Sequence, residues 1–116
     1  MTEYRRGSVV LVRLDPVVGS EQGKTRPCVV VQNDVANRVS RTVTVVPVVG
    51  FADKIASYPV CVPVDAGEAG LRKRSIVNCA HVRTVDASRL VLPPLGDVAS
   101  PRMRAVDRAI RIHLGL

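Results

Sequence analysis

Thr42-Val43-Thr44-Val45-Val46-Pro47-Val48-Val49 is a run of β-branched residues interrupted by one proline. Side chains branched at Cβ are stiff about χ1 and suit a pleated, half-buried surface, so the run predicts a strand over 42–49. Four more runs share this character: Ser8 to Leu14, Pro27 to Gln32, Tyr58 to Val64 and Ser75 to Val85, each set off by polar or glycine-containing segments. Together they predict a mainly β fold, a small antiparallel barrel. Pro47 has no N–H to give to a ladder, which predicts an edge or a bulge in the 42–49 strand, and an edge is a place for a dimer seam.

Toward the C-terminus, Asp86 to Leu90 reads as one helical turn. A longer helix is expected from Ser100, an N-cap type of residue followed by Pro101 at the first helical position. Met103, Val106, Ile110 and Leu114 recur every three or four residues, while Arg102, Arg104, Asp107, Arg108 and Arg111 take other faces. That pattern predicts one packed stripe and a solvated basic face, in preference to a helix that presents its arginines to RNA. With 116 residues, 47% of them hydrophobic, and no repeat or linker, one domain over 1–116 with one core is expected. Aromatic residues make up only 3%, so the core is aliphatic.

The formal charge of +7 suits a polyanion, held through phosphate contacts and counterion release, or an acidic protein. Solubility alone also favours net charge, so charge does not decide between these readings. Met1 to Gly7 is polar and the apolar run after it is short and broken by Arg13, which resembles neither a signal peptide nor a membrane span. Cys28, Cys61 and Cys79 are odd in number and lie among apolar neighbours, which predicts reduced, buried thiols and a cytoplasmic protein.

The segment Val17-Val18-Gly19-Ser20-Glu21-Gln22-Gly23-Lys24-Thr25-Arg26-Pro27 joins two strand candidates and is too long and polar for a tight hairpin. Its composition fits an ordinary mobile connection and equally a loop that offers donors to a ligand. Arg26 precedes a proline, which biases it to extended backbone at the entry of a strand, beside the loop. There its planar guanidinium can grip two phosphate oxygens, or pair structurally with Glu21 or Asp34.

Arg6-Gly7, Leu14-Asp15-Pro16, the run Gly19 to Pro27, Asn33-Asp34, Arg83-Thr84-Val85-Asp86 and Leu114-Gly115-Leu116 resemble the MazF/PemK toxin family over nearly the whole chain. The resemblance implies an SH3-like barrel with a C-terminal helix, a homodimer, an acidic antitoxin partner and cleavage of single-stranded RNA without metal or other cofactor. The implied chemistry is attack of a ribose 2′-hydroxyl on the adjacent phosphorus, leaving a 2′,3′-cyclic phosphate and a 5′-hydroxyl. Such a step needs a proton acceptor, a donor for the leaving oxygen and positive charge on the phosphoryl oxygens. Arg26 matches the family's catalytic arginine, and charge stabilisation and proton donation suit a side chain that stays protonated better than base catalysis does. Ser20, Glu21 and Gln22 are assigned to base reading, with Lys24, Thr25 and the position of Val49 completing the RNA-binding set.

Two departures stand out. Family members often pair the arginine with a threonine near the end of the third strand, and counting from Asn33-Asp34 without gaps brings Val49 to that position; a short gap aligns Thr44 instead, deeper in the strand. Just before Arg83, where relatives can carry polar residues that touch RNA, stand Ala80 and His81. Histidine is the side chain suited to carrying protons near neutrality, so His81 is a candidate for the 2′-hydroxyl proton, against base reading and a structural role. Cys79 and His81 would share a face of a regular strand, which raises a nucleophilic dyad or half a metal site; no second Cys/His pair accompanies them. Beside the nuclease stand two alternatives: a catalytically silent binding protein that lost turnover with the threonine, and a topoisomerase-poisoning toxin on the same fold.

Overall fold

The computed structural model describes residues 3–116; Met1 and Thr2, the start of the polar N-terminal stretch, lie outside the described residues. Its strands are β1 (Ser8–Arg13), β2 (Thr25–Val30), β3 (Thr42–Gly50), β4 (Cys61–Val64), β5 (Ser75–Asn78), β6 (Arg83–Asp86) and β7 (Leu90–Asp97). All pairings are antiparallel, in the order β4-β5-β3-β2-β1-β7, with β6 also on β3. Helices α1 (Asp34–Val39) and α2 (Asp53–Ala56) interrupt the strands, and α3 (Ser100–Leu114) closes the chain. The mainly β fold with a C-terminal helix agrees with the sequence reading, although β4 and β7 remain unjoined ends, so the barrel is open.

Paired valines give the sheet two buried faces. Val9, Val29, Val46, Val48, Val62 and Val77 point to one face and pack with Val106 and Ala109 of α3. Val10, Val12, Cys28, Val30, Val43 and Val45 point to the other and pack with Leu14, Val85 and Leu90. Successive strand residues face opposite sides, so a sheet buried on both reads as unbroken apolar runs instead of alternation. There are therefore two clusters where one core was expected.

Pro47 is not at an edge. β3 is central: it pairs with β2 along one side, and along the other with β6 at Thr42 to Val45 and with β5 at Val48 to Gly50. Pro47 falls where β3 changes partner, so its missing N–H leaves no ladder bond unmade there. The edge that would have suggested a dimer seam at Pro47 is therefore absent. The run Ser75 to Val85, expected as one strand, is two. Cys79 turns in under α3, its Sγ 3.9 Å from the carbonyl of Val106, and residues 79–82 leave the sheet.

β7 was not legible because Pro93 and Pro94 lie within it. It is an end strand, and its register on β1 shifts between Leu11–Val91 and Val9–Gly96, so the prolines sit in the bulge. The expected turn at 86–90 is a 3₁₀ turn over Ala87–Arg89, capped by Asp86. α3 begins one residue earlier than expected: Ala99 is its N-cap, without a side-chain bond, and Ser100 is already helical. Its packed stripe runs Met103, Val106, Ala109 and Ile110, whereas Leu114 is 54% exposed.

Candidate functional site

The loop between β1 and β2 is tied at its base and again at its tip. Leu14 N–H donates to the carbonyl of Lys24 at 2.8 Å, and Lys24 takes a left-handed φ of 64° that turns the chain into β2. The Arg89 guanidinium donates to the carbonyls of Arg13 and Asp15 at 3.0 and 2.6 Å, pinning the start of the loop. At the tip, Glu21 N–H donates to the Val18 carbonyl and Glu21 Oε1 accepts from Val18 N–H at 3.1 Å, a closed turn.

Arg26 sits half-buried on β2, and its Nε donates to the Gly23 carbonyl at 2.8 Å. It pairs with neither Glu21 nor Asp34: Asp34 accepts from Arg6 N–H and from Asn37, and no ion pair of Arg26 occurs among the described residues. Those hydrogen bonds hold the Asp34 carboxyl below the usual range. A groove of about 340 Å³ brings Arg26 together with Thr25, Val49, Arg72 and Lys73. Three cations thus converge on one concavity, and Val49 lines it with them.

A second cleft, of about 150 Å³, brings Glu21 and Gln22 together with His81 and Arg83, over a floor that includes Leu14 and Pro47. Arg26 and His81 therefore line different hollows. The hollows are neighbours, because Pro47 and Val49 are two residues apart on one face of β3, about 7 Å along the strand. Ser20 and Lys24 are exposed and line neither.

Thr44 is occupied elsewhere: its hydroxyl lies 2.7 Å from that of Thr84 across the β3–β6 pair. The dyad of Cys79 and His81 does not form. Cys79 is fully buried under α3 while His81 follows the turn beyond β5, and burial pushes the Cys79 thiol up to about 12, leaving no thiolate for chemistry. Among the described residues, no cluster of three His, Cys, Asp or Glu side chains is placed to hold a metal ion, and no helix is long and apolar enough to cross a membrane.

Arg72, Lys73 and Arg83 line these hollows, and the sequence reading did not single them out. The basic triplet Arg72-Lys73-Arg74 in a chain of charge +7 was the available signal. Only the fold separates its members, since Arg74 stacks 3.7 Å over the Phe51 ring and is taken up structurally.

A family model described as PemK-like, MazF-like toxin of type II toxin-antitoxin system matches residues 5–114. The chain belongs to this toxin family. An endoribonuclease MazF of Staphylococcus saprophyticus is 41% identical over 112 residues, covering 97% of this chain and 92% of that one. MazF of Deinococcus radiodurans superimposes with a TM-score of 0.82 at 24% identity over 97% of each chain. The Mycobacterium tuberculosis toxin MazF-mt6 gives 0.77 at 25% identity, covering 94% of this chain and 97% of that one. In this MazF-like toxin the family motifs divide by role. Arg6 donates to the Val31 carbonyl and to Asp107, Asn33 caps α1 through Ala36 N–H, and Asp86 caps a 3₁₀ turn, so these hold the fold. The loop from Gly19 instead borders the two hollows, through Glu21 and Gln22 on one and Thr25 and Arg26 on the other.

Proposed function

We propose that this chain is the endoribonuclease toxin of a type II toxin–antitoxin pair and cuts single-stranded RNA without a metal, acting as one domain and as a homodimer. The observation that carries the reading is the Arg26 groove, where a guanidinium without an acidic partner is joined by Arg72 and Lys73. The 2′-oxygen forms a bond to the adjacent phosphorus as the bond from phosphorus to the 5′-oxygen breaks; the 2′-hydroxyl gives up its proton and the leaving oxygen gains one. Arg26 stabilises the charge on the phosphoryl oxygens and donates toward the leaving oxygen. Glu21 and Gln22 read bases, with Ser20, Lys24 and Thr25 along the strand. Three buried free thiols suit a reducing cytoplasm.

His81 was the candidate for the 2′-hydroxyl proton. Its company with Glu21 and Gln22, apart from the Arg26 groove, supports base reading instead. His81→Gln is expected to change which sites are cut while the rate–pH profile keeps its shape. Loss of an inflection together with a rate drop of roughly 10²-fold would make it the proton acceptor after all.

A second reading has one observation in its favour: Val49 offers no hydroxyl beside Arg26, which fits a silent binder. Incubation with a long RNA in EDTA, followed by mapping of both ends, separates the two. Cyclic phosphate and 5′-hydroxyl ends support the nuclease, and intact RNA supports the binder. The partner is an acidic antitoxin whose C-terminal segment folds over the basic hollows, in keeping with the charge of +7. RNA and antitoxin are then expected to compete in a fluorescence-anisotropy titration, and simultaneous saturation by both with cleavage unaffected would show separate sites.

A further inference from the structure

Arg83 carries an unusual feature. On β6 it stands opposite Val45, which is fully buried, so its stem enters the second apolar cluster and its head reaches the small cleft. Its Nη1 is buried, and among the described residues nothing accepts a hydrogen bond from it. Leaving a buried donor without an acceptor forfeits its hydration with nothing in return, and a native chain rarely keeps one without a use.

The rest of the cleft narrows what that use is. At about 150 Å³ it is smaller than a drug-sized pocket and holds a group on the scale of one nucleobase. Leu14, Pro47 and Val82 supply apolar wall, and Glu21 supplies a carboxylate. Oε1 of that carboxylate is held by Val18 N–H, and Glu21 forms no ion pair with Arg83. A phosphate would be repelled by Glu21. A base that accepts on one edge and donates on another satisfies both walls.

We propose that this cleft is a guanine-reading pocket in which Arg83 is a specificity-determining residue. Arg83 donates to O6 and N7, Glu21 accepts from N1–H and the 2-amino group, and the neighbouring Arg26 groove takes a phosphate of the same strand. Guanine is the base whose two edges match a guanidinium fork and a carboxylate at once. The inference rests on the RNA-cutting reading of the site and adds the identity of one base.

The test maps cut sites in a randomised RNA pool. Wild-type protein is expected to require guanine at one fixed position. In Arg83→Gln that preference should fall by about tenfold or more while the preferences at other positions remain. With wild-type protein, 7-deazaguanine at that position, which lacks the N7 acceptor, should slow cutting by a similar factor and inosine should weaken it through Glu21. The modified bases keep the idea testable if the Arg83 variants do not fold. No guanine preference at any position, its persistence in folded Arg83→Gln, or indifference to 7-deazaguanine overturns the pocket. Uncut RNA refutes the nuclease reading alone; the pocket is then read by anisotropy with guanine- and 7-deazaguanine-containing oligonucleotides, and equal binding of the two overturns it.

Discussion

Arg26→Ala is expected to leave a folded protein whose cleavage of RNA is lost, by at least the 10²–10³-fold that follows removal of one charge-stabilising donor from a transition state. The fold should survive because the bond lost is one contact from Nε to the Gly23 carbonyl at a half-buried position, worth about 1 kcal/mol. Arg72 and Lys73 remain in the groove and keep some attraction for RNA, so binding should weaken less than turnover. Arg26→Lys should rescue poorly, since an ammonium is a point charge without the planar fork. End mapping on a long RNA, with thermal unfolding of the same preparations, checks this, and wild-type turnover in a folded Arg26→Ala protein would remove Arg26 from the mechanism.

Gly70→Val is the largest expected effect on stability. Gly70 ends the 3₁₀ turn over Glu68–Gly70 with φ +75°, and a Cβ there would lie 2.1 Å from the carbonyl oxygen of Leu95 on β7. Backbone cannot rotate aside as a side chain can. The left-handed conformation costs about 1–2 kcal/mol for a residue with a Cβ, and overpacking adds about 1–3 kcal/mol. Against a stability of about 5–15 kcal/mol, that lowers the melting temperature by on the order of 10 °C or more. Gly67→Ala is the comparison: its φ is +90°, but nothing lies within 4 Å of the added Cβ, so only the conformational cost applies. Circular-dichroism melts should separate the two variants clearly, and equal melting temperatures would show that the contact between the turn and β7 does not matter.

Paired valines, a proline in a central strand and two prolines in an end strand show how far local reading goes. Val9-Val10, Val29-Val30 and Val45-Val46 each divide between the two apolar clusters, so the runs were legible as strands but the second buried face was not. Pro47 was legible as a break in a ladder, and the sequence pointed to an edge because nothing local says that a strand can change partners midway.

From the sequence alone came the mainly β class, the C-terminal helix, the loop that ends at Arg26 and the family, because each rests on neighbouring residues or on a motif continuous in the chain. Only the tertiary structure divided the site. Arg26 meets Arg72 and Lys73 across 46 and 47 positions of sequence, and Glu21 meets Arg83 across 62. The same fold sent Cys79 under α3 and left His81 in the cleft, two residues away. Spacing along a chain carries no information about which distant side chains converge; strand order and the turn at 79–82 decided that.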